Sequence, residues 1–263
     1  MSNNELITGF AGTPIQITHL GDGPIVVLIH GTQSNAQAWL DVANRLADGY
    51  HCIVMNRRGR APGAAPGPEY RIDAEVADIH ALIDHVGTDV SLVGHSYGGT
   101  LALLAALDLP GLRSLVLYEP AWPLAGPITG PDLPLIARAV HDEDLDLALT
   151  LIMSKTMHIP DQAIAHLRET PGWQQQRALA PATLAELQAL DALAPTVSAF
   201  ARLTVPTVIL RGADTLSASP FAITADALTR TIPNATCVHL PGQEHIAHLV
   251  APEQLAAAIT DAV

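Results

Sequence analysis

The apolar residues of this chain fall into short continuous runs that alternate with segments of helical periodicity. The run Ile25–Ile29 is apolar at consecutive positions, and Val90–Val93 is apolar apart from Ser91. Such runs are typical of central strands that helices cover on both faces. The segment from Ile72 to Val86 instead repeats its apolar residues every three or four positions, with charged residues between them. The alternation predicts a parallel sheet with right-handed crossovers.

The same pattern predicts the remaining elements of this α/β chain. Further strands are expected at Leu6–Phe10, Pro14–Leu20, His51–Met55, Leu115–Tyr118, Val205–Asp214 and Thr236–Leu240. Further helices are expected at about 38–47, directly after Ser96, at about 222–231, and from near Pro252 to the end. Residues 61–68 are too rich in proline and glycine for regular structure and predict a surface loop.

Residues 122–200 break the alternation. Prolines recur through this segment, Ala/Leu-rich pieces lie between them, and no convincing strand is present. We therefore expect a core domain in two parts, residues 1–121 and 201–263, with a helical cap insertion at 122–200 between them.

Composition limits the classes of protein to consider. Of the 263 residues, 49% are hydrophobic and 15% charged, which excludes a disordered chain. The formal net charge of -13 argues against nucleic acid as a partner. The N-terminus has no basic region followed by a long apolar one, and no run approaches the roughly 18 apolar residues of a membrane span. These features predict a cytoplasmic protein that does not bind membranes, with Cys52 and Cys237 as buried free thiols.

One stretch carries a strong chemical signal. Gly94 and Gly98 flank Ser96 at the G-x-S-x-G spacing, after an apolar run and before a helix-forming segment. This spacing suits a strained turn that exposes one hydroxyl above the end of a sheet, at a helix N-terminus that favours developing negative charge. A serine in an ordinary glycine-rich turn is the alternative.

Further candidate groups follow other strands. Asp214 and His245 each follow a later strand, at the same predicted sheet edge as Ser96. The three residues occur in the chain order nucleophile, acid, base. The loop at Gly31 and Thr32 follows a central strand, so a backbone N–H there could donate to an oxyanion together with the N–H of Tyr97.

Three arginines, Arg57, Arg58 and Arg60, follow the fourth strand. They could bind phosphate, but in an acidic protein we favour local carboxylates as their partners.

With these pieces in order, the chain resembles the α/β-hydrolase superfamily over essentially its whole length. The matching pieces are His30-Gly31, Arg57-Arg58-Gly59, Gly94-His95-Ser96-Tyr97-Gly98-Gly99, Gly212-Ala213-Asp214 and His245-Ile246-Ala247-His248-Leu249 with Pro252. The resemblance implies an eight-stranded, mostly parallel sheet flanked by helices, with a helical cap inserted after the sixth strand.

The resemblance also implies roles for individual residues. Ser96 would be the nucleophile, His245 the general base and then acid, and Asp214 the group that orients the imidazole, with oxyanion N–H groups from Thr32 and Tyr97. Some relatives keep the acid at the end of the sixth strand, where this chain has Glu119, but Asp214 sits in the more usual setting and is the expected acid.

The insertion offers candidate substrate-binding residues. Trp122, Met153, Met157 and Trp173 could face the site and select an apolar substrate. Packing of the insertion onto the core is the alternative, and the one favoured for any single position.

These observations predict a serine hydrolase that cleaves a small, fairly apolar ester, lactone or thioester through an acyl-enzyme, a carboxylic ester hydrolase with no cofactor and no metal. Serine at the elbow, instead of aspartate, argues against the alkyl-enzyme route of epoxide hydrolases and dehalogenases. The same site could hydrolyse or form a C–C bond, and a slow-turnover small-molecule receptor remains a further alternative. The natural substrate and the oligomeric state are left open.

Overall fold

The computed structural model describes residues 3–60 and 70–263, so the predicted loop at 61–68 lies outside the described residues. The strands are β1 Asn3–Thr8, β2 Pro14–Leu20, β3 Ile25–Ile29, β4 His51–Asn56, β5 Val90–His95, β6 Ser114–Tyr118, β7 Thr207–Gly212 and β8 Ala235–Leu240.

The eight strands form one sheet in the order β1-β2-β4-β3-β5-β6-β7-β8. The pairs of β1 with β2 and of β2 with β4 are antiparallel, and the other pairs are parallel. The predicted α/β class with an eight-stranded, mostly parallel sheet is confirmed. In the central register Ile29 lies beside Gly94, and Gly94 lies beside Leu117. The carboxyl ends of β3, β5 and β6 therefore meet at one edge.

Helices cover both faces of this sheet. Their bounds in the core are α1 Leu40–Leu46, α2 Ile72–Val86, α3 Tyr97–Ala106, α9 Pro220–Thr231, α10 Ala247–Val250 and α11 Pro252–Thr260, leaving α4 to α8 for the insertion. Side chains alternate along β5, so Leu92 joins the apolar cluster with α2 and α3 while Val93 joins the cluster with α1 and α11. Burial on both faces explains why the central strands are mostly apolar at successive positions.

The first strand departs from its predicted bounds. It begins at Asn3 and ends at Thr8, whereas the sequence predicted Leu6–Phe10. Phe10–Gly12 form a short 3-10 turn in which Ala11 has a φ of 56°, and the Gly9 N–H donates to the Thr13 carbonyl at 2.8 Å. The tight connection to β2 takes up the residues that pattern alone added to the strand.

Residues 122–200 contain helices and no strand in the described chain. The insertion comprises α4 Leu133–His141, α5 Leu145–Leu151, a π-helical segment Ile152–Thr156, α6 Asp161–Arg168, α7 Gly172–Ala178 and α8 Ala180–Asp191, flanked by 3-10 turns at Gly130–Asp132 and Ser198–Arg202. It has two small apolar clusters of its own, whereas Trp122 and Phe200, at its two ends, join the main core. The insertion thus packs partly on itself and partly on the sheet domain.

Two further expectations concern the whole chain. Within residues 3–60 and 70–263, no helix is both long enough and apolar enough to cross a bilayer. Both cysteines are free; Cys52 is buried, as expected, whereas Cys237 is only half-buried.

Candidate active site

Ser96 lies at a sharp turn between β5 and α3. Its φ of 52° and ψ of -122° are unusual for a residue with a side chain, and such strain costs about 1–3 kcal/mol. A Cβ on Gly94 would lie 2.4 Å from the Gly98 carbonyl oxygen, and a Cβ on Gly98 would lie 2.4 Å from the carbonyl oxygens of His30 and Ile29. Both glycines of the G-x-S-x-G pattern are therefore required by close backbone contacts.

The loop after β8 brings His245 to the same edge. The hydroxyl of Tyr118 donates to the Glu244 carbonyl and accepts from the Ala247 N–H at 2.9 Å. His95, the residue before the nucleophile candidate, donates from Nε2 to the His245 carbonyl at 2.9 Å. Residues of β5 and β6 thus fix the backbone on both sides of His245.

The acid that pairs with His245 is Glu119, which follows β6. Its Oε2 lies 2.8 Å from His245 Nδ1, and its Oε1 accepts from the Gly212 N–H at 2.9 Å and from Thr215 Oγ1 at 2.5 Å. Burial alone would raise the pKa of Glu119, but the hydrogen bonds from His245, Thr215 and Gly212 hold that pKa below its usual value. A buried, ionised carboxylate therefore faces the imidazole.

The structure does not pair Asp214, the expected acid, with His245. Its side chain is exposed, and its backbone N–H donates to the Gln243 carbonyl at 3.0 Å. The physical reason lies at Gly212, where a Cβ would meet the Gln243 carbonyl oxygen at 2.3 Å. Because residue 212 is a glycine, the loop after β8, residues 241–245 (the β8 loop), packs directly over the end of β7. The imidazole of His245 then pairs with Glu119 after β6, and Asp214 remains exposed.

A loop after β3, residues 30–34 (the β3 loop), borders the elbow. A Cβ on Gly31 would lie 3.0 Å from the Cβ of Ser96, so there is little room for a side chain between this loop and the elbow. Neither the N–H of Thr32 nor that of Tyr97 donates to another group in the part of the chain that the structure describes. Tyr97 is also the first residue of α3, where helix N–H groups point outward. The two predicted oxyanion donors therefore have free N–H groups near Ser96.

His30 has a structural position at the base of this loop. It is fully buried, its Nδ1 donates to the Gly31 carbonyl at 2.9 Å, and its Nε2 accepts from the Arg57 N–H at 3.3 Å. Burial and the charges of Arg57 and Arg60 hold the pKa of His30 well below its usual value. His30 is thus a neutral imidazole whose two nitrogens both bind backbone groups of the site.

The three arginines after β4 all pair with carboxylates. Arg57 forms two hydrogen bonds with Glu75, Arg58 pairs with Asp78 at 2.6 Å, and Arg60 pairs with Glu186 of the insertion. The structure agrees with the carboxylate interpretation rather than with a phosphate site.

The four candidate substrate residues of the insertion lie in different surroundings. Trp122 donates to the Ala194 carbonyl at 2.9 Å and meets Phe200 edge-on. Met153 and Trp173 pack in one of the insertion's own clusters, and Met157 is exposed. None of these contacts involves Ser96 or His245, so a role in binding substrate stays a prediction.

Phe221 is a site residue that sequence reasoning missed. Its ring stacks on the imidazole of His245, with ring centroids 3.9 Å apart and an angle of 17° between the planes. It follows Pro220 at the start of α9, a position at which pattern gives no sign of contact with a residue after β8.

Comparisons with known proteins identify the family of the chain. Residues 26–258 match the model of the alpha/beta hydrolase family. The chain belongs to the α/β hydrolase family. A solved α/β hydrolase from Sphaerobacter thermophilus is 31% identical, with a TM-score of 0.83 and coverage of 98% of this chain and 99% of that one.

Two curated relatives have assigned activities. A 2-(acetamidomethylene)succinate hydrolase of Mesorhizobium japonicum is 26% identical over 94% of this chain and 90% of its own length. Haloalkane dehalogenase 2 of Mycobacterium tuberculosis is 27% identical over 92% of this chain and 88% of its own length. Family members with different substrates therefore resemble this α/β hydrolase almost equally, and the choice among reactions depends on its own site residues.

Proposed function

We propose that this α/β hydrolase is a serine hydrolase that cleaves a small, fairly apolar ester, lactone or thioester through an acyl-enzyme. The observation that carries the proposal is the 2.8 Å contact between His245 Nδ1 and Glu119 Oε2, beside a strained serine elbow. In this arrangement Ser96 is the nucleophile, His245 the general base, and Glu119, in place of Asp214, the orienting acid.

The first half-reaction forms the acyl-enzyme. Ser96 Oγ attacks the substrate carbonyl and its proton passes to His245 Nε2, because Glu119 holds Nδ1 in the protonated form. The negative charge on the carbonyl oxygen is stabilised by the N–H groups of Thr32 and Tyr97. His245 then gives its proton to the leaving alcohol or thiol as the bond to the acyl carbon breaks.

The second half-reaction restores the enzyme. His245 takes a proton from water, the hydroxide attacks the acyl carbon, and the proton returns to Ser96 Oγ as the acid leaves. No redox step is involved.

Serine at the elbow separates this proposal from the dehalogenase relative. An alkyl-enzyme route needs a carboxylate nucleophile, and this chain has a hydroxyl at that position. Carbonyl substrates suit the hydroxyl and the paired N–H donors. We further propose that residues 122–200 act as a cap that shapes the substrate site.

A second candidate is hydrolysis of an acyl group on nitrogen, favoured by the 2-(acetamidomethylene)succinate hydrolase relative that covers 94% of this chain. The same residues would serve, with an amine as the leaving group. A substrate panel that includes esters, lactones, thioesters and enamides distinguishes the two candidates, and turnover on any of them contradicts a pure receptor.

The test is mass spectrometry of the protein after exposure to a fluorophosphonate. We expect one label on Ser96 in the wild type, lost in Ser96→Ala and strongly reduced in His245→Ala. The exposed Ser217 and His239 provide matched controls, and Ser217→Ala and His239→Ala should label like the wild type. A folded wild-type protein that does not label contradicts the proposal.

A further inference from the structure

The direction of the Thr32 N–H is set by the peptide group to which it belongs. The Gly31 carbonyl and the Thr32 N–H share one planar trans peptide, so they point in opposite directions. The Gly31 carbonyl accepts from His30 Nδ1 at 2.9 Å and from Arg57 Nη1 at 3.0 Å, both from fully buried side chains. These two donors fix one side of the peptide and leave its N–H pointing away from them.

The residue after Thr32 fixes the other side of the β3 loop. Gln33 has a φ of 53°, which is uncommon for a residue with a side chain. Its side chain is nevertheless buried, and its Nε2 donates to the Gln176 carbonyl at 2.6 Å while its Oε1 accepts from Thr183 Oγ1 at 2.7 Å. Both partners belong to the insertion, in α7 and α8.

A second contact from α8 reinforces the first. Glu186 lies three residues after Thr183, on the same face of the helix, and pairs with both Arg57 and Arg60. Arg57 also binds the His30 and Gly31 carbonyls, and Arg60 Nε donates to the Ser34 carbonyl at 3.0 Å. One face of α8 therefore holds the β3 loop on both sides of Thr32.

From this geometry we infer that Gln33 is a positioning residue, through which α7 and α8 of the insertion hold the Thr32 N–H in place for the oxyanion. The inference rests on the proposed function, and it adds that the insertion completes the catalytic site. The amide of Gln33 forms its hydrogen bonds with the insertion and not with Ser96. It acts through the backbone of its neighbour.

The physical consequence is a split between kcat and KM. A displaced Thr32 N–H stabilises the transition state less, because negative charge develops on the substrate oxygen there. Binding of the uncharged ester changes little. Complete removal of one oxyanion donor costs about 10²–10³ in kcat, and we expect a loosened donor to cost part of that. A purely structural role for Gln33 would lower the melting temperature without this selective loss of kcat.

The test compares Gln33→Met with Gln188→Met. The two changes are chemically identical, but Gln188 is exposed on α8 and Gln33 is buried against it. With p-nitrophenyl butyrate as the probe, we expect Gln33→Met to lower kcat about 10- to 100-fold with KM within about threefold. Gln188→Met should match the wild type. Equal kcat values for the two variants would overturn the inference.

Thr183 gives an independent variant if Gln33→Met does not fold. Thr183→Val removes the hydroxyl donor with little change in shape, and we expect the same selective loss of kcat. Thr183→Ser restores the hydroxyl and should recover most of that rate. Because the two residues act through one contact, the double variant Gln33→Met/Thr183→Val should lose less than the product of the single losses. Full multiplicativity, or no recovery in Thr183→Ser, would contradict the inference.

Two readouts separate this inference from the proposed function. Fluorophosphonate labelling of wild-type Ser96 with an unchanged kcat in Gln33→Met would overturn the inference alone. A wild type that does not label overturns the proposed function and the inference with it. Hydrogen–deuterium exchange is independent of activity: we expect faster exchange of the amides of residues 30–34 in Gln33→Met than in Gln188→Met, and equal exchange would show that the contact does not hold the loop.

Discussion

The serine elbow and the β3 loop lie against each other, yet they are held in different ways. At the elbow, glycines let backbone atoms touch: Gly98 packs on the carbonyls of Ile29 and His30, and Gly94 packs on Gly98. The Ser96 N–H also donates to the Tyr118 carbonyl at 3.0 Å. The elbow is therefore shaped by the sheet and by residues within a few positions of the nucleophile.

The β3 loop depends instead on side chains from distant parts of the chain. Gln33 reaches Gln176 and Thr183, which are 143 and 150 residues away in sequence. Glu186 reaches Arg60 across 126 residues. The comparison teaches that the proposed nucleophile is placed by a local motif, whereas one of its two proposed donors, the Thr32 N–H, is placed by the insertion.

The largest expected effect comes from breaking the elbow. In Gly98→Ala the new Cβ would lie 2.4 Å from two carbonyl oxygens of the backbone, which cannot move without disturbing β3. We expect the rate of fluorophosphonate labelling to fall by about 10³-fold or more, or the protein not to fold. The matched control is Gly172→Ala in α7, where the nearest atom would be 3.8 Å away, and a stability change within about 1 kcal/mol is expected.

The next effect comes from the buried charges that join the β3 loop to α8. Glu186→Gln leaves Arg60 buried without its carboxylate, so we expect urea titration to show a free energy of unfolding lower by about 3 kcal/mol. In the control Glu253→Gln, a pair with Arg45 is lost whose carboxylate side chain is 72% exposed, and the change should stay within about 0.5 kcal/mol. An equal decrease in the free energy of unfolding for the two variants would contradict a stabilising buried ion pair between Glu186 and Arg60.

A smaller effect depends on pH and concerns His248, whose ring packs against that of His95, the residue before Ser96. Burial and the nearby His245 lower the pKa of His248 to about 3, and its ring stacks on Trp39. An unfolded chain protonates this imidazole near pH 6.5, so its contribution to stability is complete above that pH and is lost as the pH falls toward 3.

We therefore expect His248→Phe, which keeps the stacked ring, to reduce the slope of stability against pH between 6 and 4 by about 1.4 kcal/mol per pH unit. The same substitution at the exposed His141 should leave the slope unchanged. Urea titrations at several pH values measure both. An unchanged slope in His248→Phe would show that His248 is protonated in the folded protein.

The sequence predicts the site residues that short sequence features identify, and it misses those that contacts between separate segments of the chain place. Ser96 and His245 stand out because a short spacing and a position after a strand identify them. Glu119 and Asp214 both follow strands, and only the close approach of the β8 loop over Gly212 decides between them. Gln33 and Phe221 carry no local signal, because each depends on a contact with a separate element of the chain. The partners of Gln33 lie in helices of the insertion, and the partner of Phe221 lies in the loop after β8.

The most direct test of the account compares Glu119→Gln with Asp214→Asn. Each change replaces a carboxylate by its amide, and the rate of fluorophosphonate labelling of Ser96, measured by intact-protein mass spectrometry, requires no knowledge of the substrate. A Glu119 that orients His245 predicts a rate at least about 100-fold lower in Glu119→Gln and within about threefold of the wild type in Asp214→Asn. The opposite pattern would show that the acid lies after β7 and would contradict the account.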